Sequence, residues 1–288
     1  MMINKLEKID ILDLIHRAIE EDLGGYGDIT SKYLIPADNK SRAYIICKEE
    51  SGAVLSGIDV VTYILEEFSD DIEIDRLKED GVFLKNRDII CYVYGPTQAL
   101  LAAERTCLNF LQHMSGIATY TRQFADIAAK YDVKIADTRK TKPTLRKIEK
   151  YAVLCGGGFN HRFGLFDGIL IKDNHIVAAG GVKEAIQTVH NRIPHQLKIE
   201  VEVKNLKELE EAIGESADII MLDNMDPKSI KDAAEIIRKE LGSNCLIEVS
   251  GGIGLSNVED ICKTGIDIVS VGSLTHSAPS ADFSLEFE

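Results

Sequence analysis

From residue 130 onward the sequence keeps returning to one pattern: a short apolar run rich in β-branched residues, a polar turn, then a stretch with helical spacing. Strand-like runs begin near Val133 (VKIA), Gly168 (GILI), Lys198 (KIEVEV), Asp218 (DIIML), Cys245 (CLIEV) and Asp267 (DIVSV). Helical patterns fall at 143–154, 182–191, 205–213, 227–240 and 256–264. Strands recurring every 20–35 residues with helices between them predict βα units and a parallel sheet. Directly after the strands come DTRK, KDNH, EVK, LDN, SGG and GS. Exposed loops are polar in any fold, but a mouth-like face where strand ends converge explains six such loops together. An open dinucleotide-binding sheet is the competitor, and the chain lacks G-x-G-x-x-G after a first strand. The expected class is therefore α/β, with a βα-barrel-like C-terminal domain.

The first part of the chain reads differently. Leu6, Ile9, Leu12, Leu14, Ile15 and Ile19 lie near helical spacing, and GGYGD stops that helix. RAYIIC, AVLSG and DIICYVYG read as strands of a mixed sheet. The stretch QALLAAERTCLNFLQHMSGIATYTRQFADIAAKY predicts a long helix, bent near Ser115–Gly116.

Composition narrows the function classes. The 288 residues are 45% hydrophobic and 28% charged, an ordinary globular balance. The acidic, amphipathic N-terminal segment has no apolar signal-peptide region, and no apolar run is long enough to span a bilayer. Six scattered cysteines without a CxxC pair argue for reduced thiols rather than a zinc site or disulfides. A soluble, cytoplasmic protein is expected. At −14 the chain is a poor general partner for nucleic acid.

Against that charge, the window from Arg139 to Lys172 stands out. It holds eight Lys/Arg and two acids, +6, leaving −20 for the remainder. Such an island predicts a local anionic ligand. Arg139 and Lys140 follow a strand and should enter the mouth, whereas Lys142, Arg146, Lys147 and Lys150 read as the solvated faces of a helix started by Pro143. GGGFNHRFGLFDGILIKDNH adds His161, Arg162 and Lys172. Alone, His161 would be structural and Lys172 a snorkelling side chain. Together with Arg139 and Lys140 they form an anion cage. In KIEVEV, alternation places Glu200 and Glu202 on one strand face, with Asp223 on the next strand. Such acids could bind ribose hydroxyls, hold Mg²⁺, stabilise a cationic transition state or pair with the cage. EVSGGIG and VSVGSLTHS supply small residues after the last two strands, where barrels bind phosphate.

EDLGGYGDIT, AERTCLNFLQHMSGIAT, DTRKT, GGGFNHRFGLFDGILIKDNH, EVEV, IMLDNM, EVSGGI and VSVGSLTHS occur in order over nearly the whole chain. This set resembles the quinolinate phosphoribosyltransferases, which are also called nicotinate-nucleotide diphosphorylases (carboxylating). KTKPT departs from the family, where a neutral residue and Pro-Gly are usual. The resemblance implies transfer of phosphoribose from 5-phosphoribosyl-1-pyrophosphate to the ring nitrogen of quinolinate, with decarboxylation at ring carbon 2 and Mg²⁺ accompanying the pyrophosphate. By motif it places Thr138, Arg139, His161, Arg162 and Lys172 on quinolinate, and Lys140 between quinolinate and pyrophosphate. Glu202 and Asp223 would contact the ribose, with Mg²⁺ near them. Ser250, Gly251, Gly252, Gly272, Ser273 and His276 would surround the 5-phosphate. Lys140, Glu202 and Asp223 are the residues it implies for catalysis. Arg105 would reach the neighbouring subunit's site, making the protein a homo-oligomer. An N-terminal α/β sandwich at 1–112, a barrel domain at 113–275 and a returning C-terminal segment at 276–288 are also implied. Relatives of the family act on nicotinate or in molybdenum utilisation; the latter usually lack the full HRFGLFDGILIKDNH run, and nicotinate has one carboxylate. An RNA-contact helix at RKTKPTLRK is the rival from another class, disfavoured by net charge and by the lack of interleaved aromatics.

Overall fold

The computed structural model describes residues 5–288. In chain order the helices and strands are α1 (Lys8–Leu23), α2 (Ile29–Leu34), β1 (Lys40–Cys47), β2 (Ala53–Val54), α3 (Ile58–Phe68), β3 (Glu73–Arg76), β4 (Phe83–Leu84), β5 (Ile89–Pro96) and α4 (Thr97–Ala128). There follow β6 (Lys134–Ala136), α5 (Arg146–Cys155), β7 (Ile169–Ile171), α6 (Asp173–Ala179), α7 (Val182–His190), β8 (Ile199–Val203) and α8 (Leu206–Gly214). The chain closes with β9 (Ile219–Asp223), α9 (Pro227–Leu241), β10 (Leu246–Ser250), α10 (Val258–Cys262), β11 (Ile268–Ser270), α11 (Ser273–His276) and β12 (Phe283–Phe287).

These elements form two compact units. The first comprises residues 5–122, Thr141–Gly157 and Leu274–Glu288; the second comprises Gln123–Lys140 and Gly158–Ser273. Positions 112 and 113 lie inside α4, which runs unbroken for 32 residues.

In the first unit an antiparallel sheet has the order β12-β1-β5-β3. The C-terminal strand pairs with β1, Cys47 opposite Phe283 and Ala43 opposite Phe287. Strand β1 is amphipathic at its start and fully buried at its end, as a strand covered on both faces should be. Helix α3 starts at Gly57, whose φ of 111° only glycine adopts freely. The Asp80 carboxylate accepts hydrogen bonds from Gly57 N (2.9 Å) and Ile58 N (3.1 Å) and from the Tyr151 hydroxyl (2.8 Å). One acid thus satisfies helix-end donors that would otherwise lack partners.

Gly116, near which the sequence suggested a bend, has a packing role. A Cβ there would come within 2.0 Å of the Pro279 carbonyl oxygen, so the C-terminal segment lies directly on the helix backbone. Helix α5 begins at Arg146, not at Pro143, because Thr144 takes a left-handed φ of 68°. It belongs to the first unit, although β6 belongs to the second. Lys150, expected on a solvated face, is 2% exposed; the stripe of Ile148, Ala152 and Cys155 is buried around it. Burial pushes the Cys155 thiol up to about 12, so it is a core residue and not a thiolate nucleophile.

The second unit is a six-stranded sheet, order β6-β11-β10-β9-β8-β7, with every pairing parallel. Phe159 bridges to Ala136 beyond β6, continuing the sheet past its edge strand. Helices alternate with the strands, giving a barrel-like α/β arrangement. Helix α6 follows β7 directly, and its short sequence DNHIVAA has no apolar stripe from which to read it. Among the described residues no helix is long and apolar enough to cross a membrane.

Gly116→Ala should lower unfolding stability by about 1–3 kcal/mol through overpacking against Pro279. Gly214→Ala, at a helical position with nothing within 4 Å, should leave stability unchanged or raise it slightly. Urea denaturation of both variants checks the pair.

Candidate active site

The parallel sheet has two chemically different faces, and a period of two along each strand sorts them. Ile169 and Ile171, Val201 and Val203, Ile220 and Leu222, and Ile247 and Val249 occupy one face. The alternate positions carry Leu170, Glu200, Glu202, Met221, Asp223, Glu248, Ser250 and Ser270. Register aligns them in rows: Glu200 lies beside Leu170, Glu202 beside Met221, Met221 beside Glu248, and Asp223 beside Ser250. Parallel strands put all these ends at one side of the sheet.

A cavity of about 370 Å³ opens there. It is lined by Thr138, Arg139, Lys140, His161, Arg162 and Lys172, then by Glu202, Asp223, Asn224, Glu248, Ser250, Gly251, Gly252 and Ser270, over Leu170 and Met221. All of these belong to the second unit. The cavity's cations come from the segments after β6 and β7 and from the 158–168 loop, whereas its acids stand on β8, β9 and β10.

Fully buried Asp137 anchors the loop. Its backbone N–H donates to Phe159 O (3.0 Å) and its carboxylate accepts from His161 N (2.9 Å). The Arg162 backbone N–H donates to His161 Nδ1 (2.9 Å), so Nδ1 is the acceptor nitrogen and Nε2 carries the ring proton. Nε2 faces Glu200 Oε2 at 3.1 Å and Glu248 Oε1 at 3.6 Å. The donor atoms of these three side chains all lie within 4.8 Å of one another. Arg162 donates from its guanidinium to Gly168 O (3.0 Å), aiming the rest of the group into the cavity. Burial, and then the like charge of Arg139, lowers the Arg162 guanidinium below its usual range. The Lys172 ammonium pairs with Glu202.

Opposite the cations, Asn224 takes a left-handed φ of 54° and its N–H donates to Ser250 O (2.9 Å). Gly251 follows with φ 96°, and a Cβ there would sit 2.3 Å from Asn224 Oδ1. Only glycine fits that turn, which keeps the backbone of residues 250–252 open to the cavity.

Two family descriptions cover the chain. "Quinolinate phosphoribosyl transferase, N-terminal domain" matches residues 28–115, and the C-terminal domain of the same family matches residues 117–286. The chain belongs to the quinolinate phosphoribosyltransferase family. A probable nicotinate-nucleotide pyrophosphorylase [carboxylating] of Methanocaldococcus jannaschii is 43% identical over 280 residues, covering 96% of each protein. One of Bacillus subtilis is 38% identical and covers 98% of this chain and 94% of its own length. The solved nicotinate-nucleotide pyrophosphorylase from Francisella tularensis superposes with a TM-score of 0.92 at 38% identity, covering 100% of this chain and 99% of that one. A human nicotinic acid phosphoribosyltransferase shares the fold alone, with a TM-score of 0.64 at 12% identity over 90% of this chain and 72% of that one.

Of the residues singled out from the sequence of this phosphoribosyltransferase, Thr138, Arg139, Lys140, His161, Arg162, Lys172, Glu202, Asp223, Ser250, Gly251 and Gly252 line the one cavity. Gly272 and Ser273 are outside that lining; the Ser273 hydroxyl is buried without a hydrogen-bond partner among the described residues. His276 and Arg105 belong to the first unit, Arg105 on an exposed position of α4 and His276 sharing a hydrogen bond with the Ser277 hydroxyl (2.6 Å). The sequence reading missed Asn224, Glu248 and Ser270. Glu248 carried a usable signal: it is an acid in an apolar strand, two positions before Ser250.

Asp137→Ala should cost about 1–3 kcal/mol, because the His161 N–H loses its acceptor inside the fold. Chemical denaturation measures this directly, with Asp137→Asn expected to recover part of the loss.

Proposed function

We propose that this chain transfers phosphoribose from 5-phosphoribosyl-1-pyrophosphate to the ring nitrogen of quinolinate, with loss of the 2-carboxylate as CO₂, giving nicotinate mononucleotide and pyrophosphate. The observation that carries the reading is the division of one cavity: Arg139, Lys140, His161, Arg162 and Lys172 meet Glu202, Asp223 and the open turn at 250–252.

A dianion needs several fixed positive donors, and the cations supply them. Arg139 and Arg162 offer planar two-point contact to carboxylate, while Lys140 and Lys172 act as compact charges. Lys172 is already held by Glu202, so it is preorganised rather than swept through solvent. His161 presents a donor whose direction is set by its own backbone neighbour. Ser250, Gly251 and Gly252, at the open turn after β10, suit the 5-phosphate. Departure of pyrophosphate leaves positive charge on the ribose carbon, which Glu202 and Asp223 stabilise electrostatically. After transfer, the quaternised ring nitrogen and the cation set lower the cost of electron density at carbon 2. Positioning and electrostatics carry the rate, with no covalent enzyme intermediate.

Magnesium belongs with the pyrophosphate in this proposal. Carboxylate oxygens of Glu202 and Asp223 at the cavity are hard donors of the kind Mg²⁺ takes. When bound, the ion neutralises the leaving pyrophosphate. The proposal also includes a homo-oligomer in which Arg105 serves the adjacent subunit's site; its exposed position on α4 leaves it available for that contact. The reaction is placed in the cytoplasm, consistent with six buried, free cysteine thiols. Nicotinate, with one carboxylate, would leave half of the cation set unmatched.

Purified protein should release nicotinate mononucleotide and CO₂ in equal amounts from quinolinate, and neither product with nicotinate as substrate. Turnover of nicotinate would retire the two-carboxylate reading. Lys172→Ala should lower kcat/KM for quinolinate by about 10- to 150-fold, the equivalent of one charged hydrogen bond. Chelation by EDTA should abolish turnover, and added Mg²⁺ should restore it.

A further inference from the structure

Glu248 is an inward acid with no part in the phosphoribosyl transfer proposed above. It stands on β10 at 1% exposure, yet it lines the cavity. Its buried Oε1 has no hydrogen bond of good geometry among the described residues, and its one close hydroxyl neighbour is Ser270, which faces it from β11. A buried carboxylate left in that state is costly, whereas a protonated carboxyl is not. The groups facing it are Glu200 on β8, His161 from the loop, Ser270 on β11 and Lys172 after β7, with Glu202 and Asp223 farther along the same face. Among the described residues no cation lies within hydrogen-bond distance of it; His161 Nε2 is 3.6 Å away and closer to Glu200, at 3.1 Å.

Resting on the function proposed above, we infer that Glu248 is the proton donor that replaces the departing carboxylate at ring carbon 2, with His161 and Glu200 as its positioning residues. The bond from carbon 2 to the carboxylate breaks heterolytically; CO₂ leaves and the electron pair stays on carbon 2, beside the quaternised nitrogen. CO₂ loss is reversible until the O–H bond of Glu248 breaks and its proton forms the new C–H bond, so without that proton the carbanion recaptures CO₂. Glu248 remains as a carboxylate until it takes a proton from water once the product leaves. Transfer is local because Glu248, His161 and Ser270 line the same cavity as the cations that would hold the ring.

The electrostatics support this arrangement. Burial, followed by the adjacent Glu200 charge, pushes the Glu248 carboxyl up to about 7. A donor is needed in its protonated form, present below that value and lost as pH rises through it. Turnover should therefore fall on the alkaline side of about pH 7.

The test compares wild type, Glu248→Gln and Glu248→Asp, with folding checked by circular dichroism and quinolinate binding by calorimetry. Glutamine keeps the shape but has no carboxyl proton. Its CO₂ release should drop by about 100-fold or more, its alkaline limb should vanish, and pyrophosphate release should exceed CO₂ release as undecarboxylated mononucleotide accumulates. Aspartate should restore part of the rate together with an alkaline limb. If the glutamine variant keeps the wild-type rate, or loses pyrophosphate and CO₂ release in parallel with the alkaline limb intact, the inference is overturned. Failure of the wild type itself to turn over quinolinate would instead overturn the parent function.

Discussion

The architecture of this site depends on one constraint: alternate residues of a strand face opposite ways, and parallel strands end at the same side. In the second unit this sorts β8, β9 and β10 into an apolar set and a cavity-facing set that carries the acids, without any special local geometry. Ile220 and Leu222 can be core while Met221 and Asp223, one position away, line the cavity. A shift of one residue in β8 would exchange Glu200 and Glu202 for Val201, removing both acids from the site at once. The glycine turn after β10 and the Asp137 anchor after β6 add the precision that alternation cannot supply.

Placing so much charge inside a fold is unfavourable unless charges compensate one another. The structure meets this with the Lys172–Glu202 ion pair and with the His161 Nε2–H facing Glu200. Replacing a buried ion pair with apolar residues is often neutral or stabilising, so stability alone does not account for such groups. The positive window is thereby split. Arg139, Lys140, Arg162 and Lys172 line the cavity, whereas residues 142–150 belong to the first unit, where the Lys147 ammonium pairs with Asp10 (2.7 Å).

Much of this was legible in the sequence because the signals were local and periodic. The six parallel strands announced themselves by composition and spacing, and the cavity cations by their place just after strands. Lys150 was misread because its exposure depends on what packs over α5, and no spacing rule reports that. Pro143 suggested a helix start, but Thr144 in a left-handed conformation postpones it. Helix α6 lacked an amphipathic stripe. The packing role of Gly116 was not legible because its neighbour, Pro279, lies 163 residues away in sequence. Glu248 was hidden for the opposite reason: its strand was obvious, and the acid within it was passed over beside the more conspicuous glycines.

The central claim is that one cavity is built for a ligand with two adjacent carboxylates. Calorimetric titration of the enzyme with quinolinate and with nicotinate, at matched ionic strength, tests it most directly. Quinolinate should bind at least about tenfold more tightly, and that advantage should disappear in Arg162→Ala, since a lost charged hydrogen bond is worth about 1.5–3 kcal/mol. Equal affinity for the two ligands, or an advantage that survives removal of Arg162, would contradict the account.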